Sequence, residues 1–381
     1  MDKIWKNIHI GVKNMYYEAK NVRKKEHLII IIFMSATTVL LWMLMIKLDK
    51  TENTKFETNY NASKVSTKHE ENVEKQPENT IENASKKIVG ISKMENTSMW
   101  LFDAKDDFIG IGSGVIVSDN GYILTNEHVA GSKYSNVYVT LENGMKYNST
   151  VVWADKDLDL AIVKISAENL DYMRLGDSDN IKLGECVYAI GNPIGFEFQR
   201  TVTKGIISGI NRTIKINEKD SESYMEDLIQ TDATINDGNS GGALINEAGE
   251  LLGINTVKIN DAESIGFAIP INIVKPVLDK LINSGEVNDL RLGIYALDKE
   301  ALPYLDSNLD IKSGIYVVSI QNDSILKDKL RVGDIIESID ETDINKMNEV
   351  RKIIWSKNKG DRVVLKVKRG LEYLNLEVEL K

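Results

Sequence analysis

The sequence predicts a mostly-β chain: a double β-barrel, then a smaller α+β domain, behind one N-terminal transmembrane helix. Three observations predict it. Between about Ile88 and Pro270, short apolar alternations recur between turn signals (FIGIGSGVIVS, NVYVTL, STVVWA, LAIVKI, CVYAI, TKGIISGI, LLGINTV, SIGFAI), the pattern of many short strands. Next, INIVKPVLDKLINSGEV has apolar residues at helical spacing and a stop at Gly285, after which GIYVVSI, a helical NEVRKIIW, RVVLKVKRG and EYLNLEVEL follow. Ahead of both, Leu28 to Ile46 is an uncharged apolar run. At about 1.5 Å per residue it spans roughly 28 Å, close to the hydrocarbon thickness of a bilayer.

The run is preceded by Lys3, Lys6, Lys13, Lys20, Arg23, Lys24 and Lys25, whereas the flank behind it mixes Lys47 and Lys50 with Asp49 and Glu52. Positive-inside bias therefore makes residues 1–27 a cytoplasmic tail and 28–46 the membrane span, with everything after it outside. No small-x-small cleavage site follows in IKLDKTENT, so the span is expected to be a retained anchor and not a signal peptide. Residues 47–86 are rich in Glu, Lys, Asn, Thr and Ser with few apolar side chains. They cannot bury enough surface to offset their ordering entropy, and a flexible linker is expected. His69, Glu70 and Glu71 within it read as solvated charge. Residues 87–285 are assigned to the barrel domain and 286–381 to the α+β domain.

With 381 residues, 42% hydrophobic and 27% charged, the chain can bury more than one core. A net charge of −10 argues against nucleic acid as the principal partner. Cys186 is the sole cysteine, which excludes an intrachain disulfide, and in ECVYAIGNP it reads as a small apolar strand residue. The run Gly110-Ile-Gly-Ser-Gly114 fails as a phosphate loop, because strand-like VIVS follows where a helix N-terminus is needed. A metal mechanism lacks ligands and no cofactor is implied, since the part expected to fold offers one histidine and one cysteine.

The candidate chemistry centres on Thr231 to Leu244, TDATINDGNSGGAL. Glycines on both sides of Ser240 allow the tight backbone angles that aim successive N–H groups at one point, where a carbonyl oxygen would become negative. The competing reading is a surface turn. A serine nucleophile needs a base and a group to orient that base. Of four histidines, His9, His27 and His69 lie in the tail and linker, leaving His128, where the strand-like YIL gives way to a polar turn. Its competing reading is a satisfied core histidine. Asp159 directly precedes the apolar LAIV and stands at a strand mouth, while Asp155 and Asp157 read as solvated turn residues. The order His128, Asp159, Ser240 is that of the chymotrypsin arrangement.

TNEHV, DLDLAIVK, GNPIG (191–195), VTKGIIS (202–208), GNSGGAL and IGFAIP (265–270), in this order, resemble the HtrA/Deg family of trypsin-like serine proteases, over roughly Ile88 to Lys381. The resemblance implies a chymotrypsin-like double β-barrel with His128 as base, Asp159 as its orienter, Ser240 as nucleophile and an oxyanion hole at Gly238, Asn239 and Ser240. Asp237 departs from the proline common just before this motif, and its carboxylate is expected to point to solvent. A substrate pocket is expected around Thr234, Ile265, Gly266 and Phe267, taking a small or medium aliphatic side chain. The polar insertion Asn211 to Asp227 corresponds to a regulatory loop in that family.

The C-terminal pattern, LRVGDIIESID above all, resembles a PDZ domain of the HtrA type, in which Arg291, Leu292, Gly293 and Ile294 form the loop that captures a peptide's terminal carboxylate. The resemblance further implies unfolded or damaged proteins as substrates, peptide C-termini at the PDZ domain, a homotrimer, and a bacterial cell membrane location with both domains extracytoplasmic. An inactive PDZ scaffold and a chaperone-like holdase are the rival functions.

Overall fold

The computed structural model describes residues 77–94, 108–192, 201–218, 221–236, 238–258, 264–306 and 308–381. The apolar run 28–46, most of the expected linker and Asp237 lie outside the described residues. Among the described residues no helix is long and apolar enough to cross a membrane.

The first helix, α1 (Pro77–Ser85), corrects the end of the expected linker. Ile81 and Ala84, three apart and so on one helical face, dock it on the main core. Six strands follow: β1 (Ile88–Met94), β2 (Phe108–Ile116), β3 (Tyr122–Thr125), β4 (Asn136–Thr140), β5 (Lys146–Asp155) and β6 (Leu160–Lys164), with a single turn of helix, α2 (Glu127–Ala130), after β3. They close a barrel in the order β1-β2-β3-β6-β5-β4. Alternation sorts their side chains. Ile116 and Ile123 fill the barrel with Val89, Ile91 and Val163, while Val115, Tyr122 and Leu124 face a second, larger core between the barrels.

The second barrel is built from β7 (Arg174–Leu175), β8 (Cys186–Gly191), β9 (Thr201–Glu218), β10 (Ser221–Thr231), β11 (Ala243–Asn246), β12 (Glu250–Lys258) and β13 (Gly266–Pro270). Its order is β11-β8-β9-β10-β13-β12-β7, closed by pairing of β11 with β12. Cys186 is half-buried and packs at the edge of the inter-barrel core. The insertion Asn211 to Asp227, expected as a loop, is instead a ribbon: β9 and β10 stay paired from Leu228↔Arg212 out to Ser221↔Glu218, with a bulge between Met225 and Leu228. Its polar residues on both faces hide the period-two signal, and backbone pairing supplies the order.

A 3₁₀ turn (Ile271–Ile273) leads into α3 (Lys275–Ser284), which ends as expected on Gly285 in the left-handed region, φ 74°. The C-terminal domain comprises β14 (Ile294–Leu297), α4 (Leu302–Leu305), β15 (Ile315–Ile320), β16 (Ile335–Ile339), β17 (Thr342–Asp343), α5 (Met347–Ser356), β18 (Arg362–Arg369) and β19 (Glu372–Glu379). Its sheet runs β14-β15-β16-β18-β19, leaving β14 on an edge, over a core that includes Ile315, Val317, Ile336, Val350 and Leu365.

The two domains meet through α5. Trp355 inserts into the inter-barrel core and stands edge-to-face on Trp153, ring centroids 5.3 Å apart. Lys346, just before α5, bonds Asp227 at 2.6 Å and Asn211 at 2.5 Å across the base of the β9–β10 ribbon. Lys352 pairs with Asp179 at 3.0 Å.

Candidate active site

Three loops, one from the first barrel's β3 end, one from its β5–β6 turn and one from the second barrel, converge where the barrels meet. Asn126 and α2 follow β3 and present His128, whose side chain is half exposed. Beneath it Val129 packs so closely on Gly112 that a Cβ there would lie 2.5 Å from the valine methyl. Asp159 ends the β5–β6 turn with φ 54°, an unfavourable region for a non-glycine residue. Asn126, fully buried, holds that backbone by donating from Nδ2 to the Asp159 carbonyl at 2.8 Å.

The Asp159 carboxylate accepts three kinds of donor. His128 Nδ1 lies 2.8 Å from both oxygens, the His128 backbone N–H donates to Oδ1 at 3.0 Å, and Thr256 Oγ1 donates to Oδ2 at 2.7 Å. Since the carboxylate only accepts, Nδ1 carries the proton and Nε2 presents its lone pair outward. Lys93 Nζ donates to the His128 carbonyl at 2.6 Å.

Ser240 sits in the β10–β11 connection, with Gly238 and Gly241 at φ 96° and 81°. Its Oγ donates to the Thr256 carbonyl at 3.1 Å. Thr256 on β12 thus touches both Asp159 and Ser240. The turn is tied to the first barrel by Ser113: its N–H donates to the Ser240 carbonyl at 2.8 Å and its Oγ to the Gly238 carbonyl at 2.5 Å, while Asn192 N–H donates to that Oγ at 2.6 Å. A Cβ at Gly241 would meet the Ser113 carbonyl at 2.1 Å, so glycine is required there by space as well as by φ. Ser113 and Thr256 were not singled out from sequence. Serine or threonine inside an apolar strand reads as a β-former, and only its neighbours across the fold reveal the hydroxyl's use.

Of the three residues expected at an oxyanion hole, Asn239 is corrected. Its N–H closes the turn onto the Asn236 carbonyl at 2.9 Å and its Nδ2 reaches the Thr234 carbonyl at 3.3 Å. Among the described residues the Gly238 and Ser240 amides have no intramolecular partner.

The expected pocket residues divide between two faces of β13. Gly266 abuts Ile235, to which an added Cβ would come within 2.8 Å, and Ile265 is half-buried beside the strand. Phe267, by alternation, turns the other way into the inter-barrel core and is 3% exposed; it is corrected as a pocket wall. The Thr234 carbonyl accepts from Thr203 Oγ1 at 2.8 Å. Asp155 also differs from expectation. It is buried and its Oδ1 caps the Leu158 N–H at 3.1 Å, whereas Asp157 is exposed.

In the C-terminal domain, Arg291 to Gly293 lead into β14 at Ile294. Gly293 has φ 68°, its carbonyl accepts from Gln321 N–H at 2.9 Å, and the Leu292 carbonyl accepts from Ser324 Oγ at 2.7 Å. Arg291 is held by Asp289 at 2.9 Å. Together with Leu292, Ile294, Met347, Val350 and Ile354 the loop lines a cavity of about 80 Å³ between β14 and α5.

A trypsin-like peptidase domain matches residues 112–254 and a PDZ domain matches residues 282–380. The chain is 36% identical over 322 residues to "Serine protease Do-like HtrA" of Bacillus subtilis (strain 168), covering 79% of this chain and 71% of the relative. It is also 36% identical over 277 residues to "Probable periplasmic serine endoprotease DegP-like" of Chlamydia muridarum (strain MoPn / Nigg), covering 70% of this chain and 53% of that one. Among solved structures it is similar to "HtrA-type protease AlgW with tripeptide", at TM-score 0.58 and 34% identity over 80% of this chain and 96% of that chain. The chain therefore belongs to the HtrA family of trypsin-like serine proteases with a single PDZ domain.

Proposed function

We propose that this serine protease cleaves unfolded or damaged proteins through an acyl-enzyme on Ser240, with His128 as general base and Asp159 as its orienter. The observation that carries the reading is the seating of His128: Nδ1 at 2.8 Å from both Asp159 oxygens, which fixes the tautomer whose Nε2 can take a proton. In this mechanism the Ser240 hydroxyl, which donates to the Thr256 carbonyl at 3.1 Å, turns from that carbonyl to Nε2. As Oγ attacks the scissile carbonyl, Nε2 takes the hydroxyl proton, and the imidazolium so formed is stabilised by Asp159. The same proton passes to the departing amine. Water then attacks the ester by the reverse roles. The free amides of Gly238 and Ser240 are the donors available to the oxyanion.

The apolar run 28–46 with its cationic flank supports a membrane anchor, and a relative named as periplasmic supports catalysis on the extracytoplasmic side. The cavity between β14 and α5, beginning at the Arg291–Ile294 loop, suits a peptide C-terminus added as a strand to the β14 edge.

The test is casein cleavage by the purified full chain beside Ser240→Ala and His128→Ala. We expect either substitution to lower turnover by on the order of a millionfold without altering the melting temperature. Residual cleavage within tenfold of wild type in the Ser240→Ala protein would remove the assignment.

A further inference from the structure

Ser113 is fully buried on β2, two residues before Val115, and by alternation it faces the second barrel as Val115 does. Every polar atom it owns is engaged at the candidate active site. Its carbonyl accepts from Thr125 Oγ1 at 2.6 Å, in the strand end that leads to Asn126 and His128. Its N–H and Oγ reach the carbonyls of Ser240 and Gly238, at 2.8 and 2.5 Å, and the Asn192 N–H donates into the same Oγ at 2.6 Å. A carbonyl only accepts and an N–H only donates, so the hydroxyl proton has one direction, away from Asn192 and toward Gly238.

This chain of bonds fixes a peptide plane. The Gly238 carbonyl and the Asn239 N–H belong to one planar unit; Ser113 holds the first and the Asn236 carbonyl the second, at 2.9 Å. With that plane held at both ends, φ 96° at Gly238 sets where the Gly238 N–H points, and that N–H is one of the two free donors available to an oxyanion. On its other side the turn rests on β8 backbone. A Cβ added at Gly191 would lie 2.6 Å from Asn239 Cα, and one at Gly242 would lie 2.2 Å from the Ile190 carbonyl. Among the described residues the Ser113 hydroxyl is the one donor to the Gly238 carbonyl.

We propose that Ser113 is a positioning residue for the reaction: its hydroxyl, oriented by Asn192, aims the Gly238 amide at the oxyanion and so acts on the transition state and not on substrate binding. The inference rests on the reading of Ser240 as nucleophile and of the Gly238 amide as an oxyanion donor. Without the hydroxyl the buried Gly238 carbonyl lacks its donor, the plane turns to find another, and the amide turns with it. Losing an oxyanion donor outright lowers kcat by about 100- to 1,000-fold, and a donor left in place but unheld loses part of that.

The test uses the purified full chain, a chromogenic peptide anilide ending in valine and the matching peptide boronate, whose tetrahedral adduct on serine places an oxygen where the oxyanion forms. The variants are Ser113→Ala, Ser113→Cys, which keeps the volume with only a weak donor, and Val89→Ala, which weakens the first barrel's core away from the turn. We expect both Ser113 variants to lose about 10- to 100-fold in kcat with KM within about twofold of wild type, and to bind the boronate more weakly by the same factor. Val89→Ala should keep wild-type kcat and boronate affinity below its melting temperature. If either Ser113 variant folds and retains kcat and boronate affinity, or if its loss falls on KM, the positioning role is overturned while Ser240 stands as nucleophile. If wild type neither binds the boronate nor is labelled at Ser240 by a fluorophosphonate, the nucleophile reading fails and takes the inference with it.

Discussion

Thr256 reaches two candidate catalytic groups from one position, its hydroxyl on Asp159 and its carbonyl on Ser240. Thr256→Val keeps the shape and the carbonyl but removes a hydrogen bond to a charged acceptor, worth about 1.5–3 kcal/mol. We expect kcat to fall about 10- to 100-fold with KM nearly constant, read from steady-state hydrolysis of a short peptide; an unchanged kcat would mean the hydroxyl is only structural. At this scale, His128, Asp159 and Ser240, the residues proposed to react, were legible as candidates because their residue types suit the chemistry and their neighbours are distinctive. Ser113, Thr256 and the buried Asp155 were not. Each is polar by composition, and each is used only because a partner from 3 to 127 positions away in the sequence is brought within hydrogen-bond reach, a relation that local pattern cannot express.

Among the elements, the β9–β10 ribbon departs most from its sequence reading. Both Asn211 and Asp227 at its base have positive φ, 56° and 61°, and Lys346 joins them from the PDZ domain. Lys346→Met leaves the mostly buried Asp227 with Asn348 at 3.3 Å as its remaining PDZ contact. Removing one partner of such a pair costs about 3 kcal/mol. We expect the PDZ domain to loosen, seen as several-fold faster thermolysin cleavage in the connector 285–293 and a lower first melting transition. Unchanged cleavage would show that the remaining contacts, Trp153–Trp355 and Lys352–Asp179 among them, hold the domains together without Lys346. The β13 strand teaches the complementary lesson: its existence was plain from IGFAIP, yet which of Gly266 and Phe267 faces a pocket depended on the register Thr231↔Gly266 and Gln230↔Phe267.

For the molecule as a whole, the interface between protease and PDZ domains carries its own pH dependence. Burial, followed by Asp298, raises the Glu226 carboxyl to about 8, against about 4.3 in an unfolded chain. In that window the folded protein holds a proton that the unfolded chain has released, so stability is highest at the acidic end and declines as pH rises toward 8. Glu226→Gln cannot ionise. Its melting temperature should match wild type near pH 4.5 and exceed it at pH 8.5 by the equivalent of about 1–3 kcal/mol; equal melting at both pH values would show that Glu226 is solvated. Nothing in SYMED marks Glu226 as different from Glu222, since burial against another domain is invisible in a polar run. What the sequence by itself determined was the β-rich double-barrel class, the helix stop at Gly285, the PDZ pattern and the choice of His128, Asp159 and Ser240 as the candidates proposed to react, because periodicity, turn chemistry and side-chain reactivity are local properties. What only the tertiary structure decided was how the hydroxyls of Ser113 and Thr256 brace the site, which amides stay free, which face Phe267 takes and where the acids of two domains gather. Those depend on distances between residues far apart in the chain, which the packing of the barrels and the docking of α5 set.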